Sequence, residues 1–401
     1  MARLASTGGV GMRATALALG AAILASALTA TPGGHASVVM QTVYVSTTAT
    51  DNAAGRNCSS AAYDSINKGV AAVAAGGRVV VCDGTYHEGV AVQKPLTIIG
   101  RGNATIDATN MINGITVTAS DVTLTGLIVR NAIGEGILVQ NADRAEIADN
   151  VVASNNTGLR LTDPVPNDYP PCHLPVGPDC GESIHLLGSS HAIVRGNIIT
   201  DGTGGVLLSD ETGPTAHNRI VGNIVADNTT SCGVTLAGHN EHGAPGGVPD
   251  PRVAGVFDNI IEHNAIFRNG LQGKTGGAGV QMATPVHGGA VYRNIVSQNI
   301  IDHNGHPGVT LHSHETGQYM NGNSVTRNRI GSNNVNGDAD FTAKDPSRTG
   351  IFIGTVDSMS IEVKDNAVNR DQYGIFTSGP VTVDGEHQNS FSNVVVAVSQ
   401  N

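Results

Sequence analysis

The chain has 401 residues, a formal net charge of −11 and only 22 lysines and arginines. So few cations on an acidic chain argue against a nucleic-acid partner, because phosphate backbones are bound chiefly by lysine and arginine. There is no tryptophan, and aromatic residues make up 3% of the chain. That composition is unusual for a globular core and is typical of short strands that stack on one another.

The first 36 residues have the layout of a secretory signal peptide. Arg3 and Arg13 precede an apolar run over residues 14–30, and the small residues Gly34 and Ala36 suit signal peptidase. We therefore predict cleavage after Ala36 and a secreted, extracellular protein with a net charge of about −13 once both arginines are removed. An apolar run of about 17 residues is short for a bilayer span, so we expect no stable membrane anchor.

The segment that follows predicts a cap over the first coil of a larger structure. Residues 63–73 have the apolar spacing of a short amphipathic helix, and residues 79–86 and 96–100 are typical of opening strands. We assign residues 37–100 to the cap and first coils. Residues 101–401 show no polar linker or composition break and are assigned to one repetitive domain.

A glycine followed by an alternating aliphatic strand recurs along that domain. It begins at Gly114, Gly136, Gly158, Gly205, Gly233, Gly279, Gly308, Gly350 and Gly374. The shortest spacing is 22 residues, from Gly114 to Gly136 and from Gly136 to Gly158, which suits one coil of a β-helix. Alternation predicts that residues such as Val206 and Leu208 point inward and form aliphatic stacks.

Asparagines five residues apart bracket an aliphatic residue in several repeats. They are Asn218, Asn223 and Asn228, then Asn259, Asn264 and Asn269, then Asn294, Asn299 and Asn304, and finally Asn323, Asn328 and Asn333. Asparagine suits tight corners because its amide bonds the local backbone and tolerates left-handed conformations. The spacing predicts corner, strand, corner, with amides stacked from coil to coil. The fold class is therefore all-β, and the runs are too short and too β-branched for a helical solenoid.

The capping segment and the repeats together resemble the pectate-lyase-like superfamily of single-stranded right-handed parallel β-helices, over essentially the whole mature chain. The resemblance implies a β-helix with an N-terminal helical cap and an extracellular protein that acts on or binds polysaccharide. It identifies no reaction, because the same scaffold carries lyases, hydrolases, epimerases and adhesins. The Asn-Thr-Asp, Asp-Asp and Gly-His-Gly set of polygalacturonases and the Asp-Pro-His-Asp of alginate epimerases are absent. We also expect a monomer.

The five cysteines suggest two disulfides in an oxidising compartment. Cys58 and Cys82 flank the first structured segment, and Cys172 and Cys180 lie close together in a proline-rich stretch. We predict those two pairings. Cys232 is left over and is interpreted as a buried small apolar residue.

Most insertions follow the same glycine-led strand. They span residues 163–182, 209–217, 237–253, 283–290 and 312–320. Because neighbouring coils are about 4.8 Å apart, these loops should wall one side of a groove that spans several sugar units.

Polar residues are dense along that predicted edge. The catalytic candidates are Arg160, Asp210, Glu211, His239, Glu241, His242 and His312, and the substrate-binding candidates are Asp163, Tyr169, His185, His287, His314, Glu315 and Tyr319. An arginine beside histidines and carboxylates suits β-elimination, in which a base removes the C5 proton of a uronate and a cation stabilises the enolate. Arg160 or a nearby histidine is the candidate base, and the sequence indicates a polysaccharide lyase or epimerase.

Two other function classes stay open. Asp210 or Glu211 could pair with Glu241 across about 5 to 10 Å as a glycoside hydrolase, and a non-catalytic glycan-binding or surface protein needs no such pair. The acidic charge favours a neutral glycan, unless Ca²⁺ bridges carboxylates of protein and substrate as the resemblance to pectate lyases permits. No other cofactor is expected.

Two further groups of residues, histidines with glutamates and a pair of phenylalanines, each have a functional and a simpler structural interpretation. His239 and His242 with Glu241, and His312 and His314 with Glu315, resemble pieces of transition-metal sites, although exposed turn histidines are the simpler interpretation. Phe352 and Phe376 share an outward column that could stack on sugar or could merely cover itself.

Overall fold

The computed structural model describes residues 40–50, 55–158, 181–272, 277–335 and 349–400. Short strands form three long parallel sheets, which we call A, B and C. The predicted signal peptide and the predicted Cys172–Cys180 disulfide lie outside the described residues.

Each sheet takes one strand from each coil, so that strands neighbouring in space are a full coil apart in sequence. Sheet A comprises Thr42–Val45, Arg78–Val81, Thr97–Gly100, Thr123–Thr125, Glu146–Ala148, Ile193–Arg195, Arg219–Val221, Ile260–Glu262, Ile295–Ser297, Asn323–Thr326, Met359–Lys364 and Val381–Asp384. Sheet B comprises Gly84–Tyr86, Ala104–Asp107, Ile128–Arg130, Val151–Ala153, Ile198–Thr200, Ile224–Ala226, Ala265–Phe267, Ile300–Asp302, Arg329–Ile330, Ala367–Asn369 and Ser390–Ser392.

Sheet C carries the glycine-led strands. It comprises Val90–Val92, Ile115–Val117, Ile137–Gln140, Glu182–Leu187, Gly204–Ser209, Val234–Ala237, Val280–Thr284, Val309–Ser313, Thr349–Gly354, Tyr373–Ser378 and Val396–Gln400. A small fourth sheet, D, inserts between sheets C and A and is formed by Thr215–Ala216, Val256–Phe257 and Val291–Tyr292. The chain is thus a parallel β-helix, as the repeats predict.

Glycine begins the strands of sheet C because the inside of each corner has no room for a side chain. A Cβ on Gly136 would lie 2.5 Å from Cγ1 of Val152, and one on Gly279 would lie 2.4 Å from Cγ2 of Ile301. Both neighbours are fully buried members of the core. The glycine therefore lets sheets B and C meet at close range.

The predicted asparagine stacks are confirmed. The side-chain amide of Asn223 donates to Oδ1 of Asn264 (2.9 Å), and Asn264 donates to Oδ1 of Asn299 (3.0 Å). The left-handed conformation, however, belongs to the residue before each of these asparagines, such as Gly222 (φ 65°) and His263 (φ 57°). Because the chain turns at the residue before the asparagine, the asparagine side chain points into the interior of the β-helix. There its amide hydrogen-bonds the coils on both sides.

The core fills the space between the three sheets with aliphatic side chains. The predicted inward residues are all fully buried in it: Ile137, Val139, Val206, Leu208, Val234, Leu236, Val309 and Leu311. Inward aliphatic residues of each coil stack on those of the next, which buries apolar area along the whole solenoid.

The N-terminal helix is shorter than predicted, and hydrogen bonds join it to the coils. A helix spans Ile66–Ala72 and begins at Ser65, whose side chain accepts from Lys68 N–H. Glu88 accepts from the backbone N–H groups of Ile66 (2.6 Å) and Asn67 (3.1 Å) at the same end. Sheet A itself starts before the helix and continues past residue 100.

One predicted coil is wrong. Sheet C passes directly from Ile137–Gln140 to Glu182–Leu187, with Ile137 opposite Ile184, so Ser183 and not Gly158 occupies the next glycine position. Gly158 instead donates its N–H to Ile133 O (3.0 Å). Residues 159–180, including Arg160, Asp163 and Tyr169, therefore join sheet B to sheet C and lie outside the described residues.

The cysteines follow the prediction where they are described. Cys58 and Cys82 form a disulfide, and Cys232 is buried. Its Sγ lies 3.0 Å from Oε1 of Gln281, so this thiol makes a polar contact as well as packing. In the described part of the chain, no helix is long and apolar enough to cross a membrane.

Candidate active site on the outer face of sheet C

The loops that leave sheet C towards sheets D and A stack on one another. Ala244 N–H donates to Gly288 O (2.6 Å), and Gly288 N–H donates to Gly317 O (3.2 Å). The loops 238–255, 285–290 and 314–319 therefore lie side by side, and the groove beside them stays a prediction.

Asp210 anchors two of these loops. Its Oδ1 accepts from the backbone N–H groups of His239 (2.7 Å) and Asn240 (3.1 Å), and its Oδ2 accepts from Gly255 N–H (2.7 Å). Asp210 is fully buried. Burial, followed by the negative charge of Glu211, raises the pKa of Asp210 to about 7 despite these donors. Both oxygens face backbone, so Asp210 positions loops, and its predicted contact with sugar is not supported by this geometry.

Glu211 and His239 form a close pair beside that anchor. Glu211 Oε1 lies 2.7 Å from His239 Nδ1, and the two side chains are 13% and 5% exposed. Burial alone would raise the pKa of Glu211, but its hydrogen bond to His239 and the charges of His239 and His185 lower this pKa to about 2. Glu211 is therefore an ionised carboxylate that orients the imidazole ring.

A second histidine, His185, lies on the neighbouring coil. His185 Nε2 is 2.8 Å from Ser209 Oγ, and His185 Nδ1 is 3.4 Å from Glu135 Oε1. His185 and Glu135 are 1% and 0% exposed. The sequence left the register of this strand uncertain. In the structure His185 lies between Leu138 and Leu207 on the outward column of sheet C.

Ser209 lies between the two histidine pairs, because its hydroxyl contacts His185 and Glu211 follows it two residues later along the chain. We call the five side chains Glu135, His185, Ser209, Glu211 and His239 the acid–histidine chain. It crosses four successive strands of sheet C. Sequence reasoning missed Glu135 and Ser209; the only signal was their place at the ends of glycine-led strands, and the misassigned coil at Gly158 concealed it.

A further buried carboxylate lies next to this chain. Glu182 aligns with Glu135 on the adjacent strand, by extension of the register that pairs Ile137 with Ile184. It is 1% exposed, and its Oε1 lies 3.3 Å from Ser231 Oγ. The outer face of sheet C thus carries several buried carboxyl side chains near one histidine, His185.

Other predicted site residues lie further along the wall. Glu241 and His242 are 74% and 69% exposed and only 3.8 Å apart, so water screens their interaction. His287 donates from Nδ1 to Thr316 O (2.6 Å), which ties two loops together. Glu315 is exposed.

His312 and His314 form a separate group. His312 is 3% exposed, and its ring meets that of His314 edge to face at 4.6 Å between centroids. The register runs from Ser209 through Ala237 and Ala283 to His312. Ser209 is thus three coils, roughly 14 Å, from His312, whereas the strand that leads to His239 is two coils, roughly 10 Å, from it.

The aromatic candidates pack within the protein. Phe352 and Phe376 stack at 5.8 Å and are 1% and 9% exposed, which supports the interpretation that they cover each other. Tyr319 meets Tyr292 edge to face at 5.4 Å and packs against a small apolar cluster under the loops. Its ring therefore supports the wall.

No group of three or more histidine, cysteine, aspartate or glutamate side chains among the described residues is arranged to hold a metal ion. Histidine pairs such as His312 and His314 do not form a transition-metal centre by themselves. The Ca²⁺ prediction stays a prediction.

The strands and their register define a right-handed parallel β-helix protein with a buried acid–histidine chain on one sheet. A family model described as right handed beta helix region matches residues 98–244, and no curated protein sequence matches significantly.

Among solved structures, the chain is similar to an alginate lyase from Paenibacillus sp. strain FPU-7, at 15% identity and a TM-score of 0.50, over 79% of this chain and 96% of that one. It is also similar to PfbA, a surface adhesin of Streptococcus pneumoniae, at 13% identity and a TM-score of 0.53, over 83% and 87% of the two chains. The catalytic domain of Agl-KA is 14% identical, with a TM-score of 0.51, over 83% of this chain and 64% of its own. At these identities the likeness concerns the fold alone.

Proposed function

We propose that the protein is secreted and acts on an extracellular polysaccharide held along the loop-walled edge of sheet C. We further propose that it removes the C5 proton of a uronate, as a polysaccharide lyase or C5 epimerase. The Cys58–Cys82 disulfide supports an oxidising compartment. The stacked loops support an elongated ligand, since they continue over several coils.

The Glu211–His239 pair carries the proposal. An ionised carboxylate can only accept hydrogen bonds, so Nδ1 of His239 donates to Glu211. In a neutral imidazole the basic lone pair is then on Nε2. A histidine held in one tautomer by a buried carboxylate is suited to general-base catalysis near neutral pH.

In this proposal His239 Nε2 takes the C5 proton. For a lyase, the C5–H electron pair forms the C4–C5 double bond, the C4–O4 bond breaks, and O4 leaves as a hydroxyl after taking a proton from water. For an epimerase, a proton returns to C5 from the opposite face. Negative charge gathers on the uronate carboxylate during either reaction and requires a cation or donor. Ca²⁺ stays a predicted source of that stabilisation, and Arg160, which the sequence put forward as a base, is proposed here as a second source.

A glycoside hydrolase is the second candidate, on carboxylates other than those predicted. The pairing of Asp210 with Glu241 is not supported, because Asp210 faces backbone N–H groups and Glu241 is 74% exposed. Glu135 and Glu182, however, align on adjacent strands about 4.8 Å apart. A backbone spacing of that size permits the separation of about 5 Å between carboxyl groups that retaining glycosidases use.

The test incubates the protein with polyuronates, alginate among them, and with neutral glycans. A lyase produces unsaturated uronates that absorb in the far ultraviolet, an epimerase changes the sugar ratio seen by proton NMR, and a hydrolase releases only saturated reducing ends. Saturated ends alone would favour Glu135 and Glu182. Retention of glycan without chemical change would indicate a binding protein and overturn the proposal.

A matched pair of variants then tests the base. His239→Gln should reduce kcat by roughly 10²- to 10⁴-fold, the usual contribution of a general base. His242→Gln changes an exposed histidine three residues away in the same loop and should retain activity. Equal activity in the two variants would remove His239 from the reaction.

A further inference from the structure

The outer face of sheet B carries an apolar stripe across six successive coils. Its residues are in register from each coil to the next, and we call them the sheet B stripe: Ile128, Val151, Ile198, Ile224, Ala265 and Ile300. Ile198, Ile224 and Ile300 are 42%, 43% and 49% exposed. Five coil spacings of about 4.8 Å make the stripe roughly 24 Å long. A continuous exposed apolar patch indicates a contact surface, whereas apolar residues scattered singly do not.

The sheet B stripe is open on the side of sheet A. In these coils only two residues join the two sheets, as Gly222 and Asn223 do between Arg219–Val221 and Ile224–Ala226, so no loop overhangs the stripe there. The equivalent outward column of sheet A is interrupted by charges and runs through Glu146, Ile193, Arg219, Ile260 and Ile295. The uninterrupted apolar column is thus a property of sheet B.

Charged residues lie at both ends of the stripe. In the second outward column of sheet B, Arg130 is two residues from Ile128 and Asp302 is two residues from Ile300. Their side chains are 44% and 31% exposed. The next strand outward carries Asp107 beside Arg130 at one end and Arg329 beside Ile300 at the other. Read from the ends inward, the order of charge is negative then positive at one end, and positive then negative at the other.

We propose that the sheet B stripe binds a second copy of this chain in an antiparallel, two-fold symmetric dimer. A two-fold axis parallel to the strands, between Ile198 and Ile224, reverses the order of the coils and keeps the direction of the strands. Ile198 of one copy then lies opposite Ile224 of the second copy. Arg130 lies opposite Asp302, and the coil of Asp107 lies opposite the coil of Arg329. Apolar residues therefore meet apolar residues, and each charge meets its opposite.

The charges distinguish this arrangement from a dimer with parallel solenoids. A two-fold axis along the solenoid would place each coil opposite itself and would reverse the strands. Arg130 would then lie opposite Ile128 and Asp302 opposite Ile300, which places charges against apolar side chains at an energetic cost. The antiparallel dimer avoids that cost.

The dimer differs from the monomer that we expect from the sequence, and it is independent of the proposed function. Its contact is at the small end of protein interfaces, so association should be reversible and depend on concentration. Sheet C and its loops form a different side of the solenoid, and the candidate active site stays open.

The first experiment is sedimentation velocity of the purified protein over a series of concentrations. The wild type should form a dimer as the concentration rises. Ile198→Lys should weaken dimerisation by at least about 10-fold, because it places a charge without a partner in an apolar contact. Ile295→Lys is the matched control, since Ile295 is a 38% exposed isoleucine on sheet A, and it should dimerise as the wild type does. A wild type that is monomeric at every concentration, or a dimer that Ile198→Lys leaves intact, would overturn the proposal.

The second experiment tests the antiparallel register by reversing charges. Arg130→Glu and Asp302→Lys should each weaken dimerisation by at least about 10-fold, because the symmetry brings the like charges together twice. The double variant restores opposite charges between the copies and should restore the wild-type dissociation constant. Within one chain the two residues are five coils, about 24 Å, apart, so restoration cannot come from a contact inside one copy. A double variant that dimerises no better than the two single variants would overturn the antiparallel register.

Discussion

Replacing Asp210 with alanine tests whether this residue anchors the wall or contacts the glycan. A residue that only contacts glycan would lose activity without loss of stability. The structure predicts a loss of both, because Asp210 accepts three buried backbone N–H groups from residues 239, 240 and 255. Without the carboxylate, these donors lose their acceptor.

The size of the effect follows from those three bonds. Leaving a buried donor unsatisfied costs about 1–3 kcal/mol, and water entering the site would keep the total near the lower end, at ~4 kcal/mol. The entropy of unfolding is roughly 2.1 cal/mol/K per residue. For a domain of about 360 residues, ~4 kcal/mol then lowers the thermal midpoint by about 5 °C.

Calorimetry and amide hydrogen exchange provide the assay. Asp210→Ala should lower the midpoint and increase exchange at His239, Asn240 and Gly255. Glu241→Ala, in the loop that Asp210 anchors but 74% exposed, should change stability by less than about 0.5 kcal/mol. An unchanged midpoint with unchanged exchange in Asp210→Ala would refute the anchoring role.

Three further predictions concern the same elements. The stability of the wild type relative to Glu211→Gln should be fully present above pH 4.5 and should be lost as the pH falls towards 2. The reason is that folding lowers the pKa of Glu211 from 4.5 to about 2. The difference in free energy of unfolding between wild type and variant, up to ~3 kcal/mol, is measured by urea unfolding. A difference that does not change with pH would contradict this prediction. Asn299→Ala should lower the free energy of unfolding by about 3–4 kcal/mol, measured by denaturant unfolding, because the side-chain amide makes four buried hydrogen bonds. It accepts from the backbone N–H and the side chain of Asn264 and donates to Ile261 O and to Asn328 Oδ1. A loss below about 1 kcal/mol would show that the asparagine stacks are not a source of stability. Gly279→Ala should lower the free energy of unfolding by roughly 2 kcal/mol or more, because the alanine Cβ would lie 2.4 Å from Cγ2 of Ile301 and 2.5 Å from Gly308 O. A thermal midpoint equal to that of the wild type would show that the corner can widen to admit a side chain.

The architecture was readable from sequence because each coil repeats the same local constraint. Glycine is required wherever sheets B and C meet too closely for a side chain, as at Gly136 and Gly279. Asparagine is required wherever a buried corner must satisfy its backbone groups, as at Asn264. Such constraints act within a few residues and recur with the coil, so their period is visible without knowledge of the contacts between coils.

The site depended on register, which only the tertiary structure decided. When coils differ in length, the sequence does not show which residues of the next strand a given residue will face. Gly158 looked equivalent to Gly136 in the repeat, although Ser183 is the residue that aligns with Gly136. His185 therefore meets Glu135 and Ser209 across separations of 50 and 24 residues. The sequence alone determined that polar loops follow sheet C, whereas the stacking of coils determined that Asp210 holds backbone and that Glu211 holds His239. Hydrogen bonds between side chains require alignment within a few tenths of an ångström, and a repeat pattern specifies only which face a residue occupies.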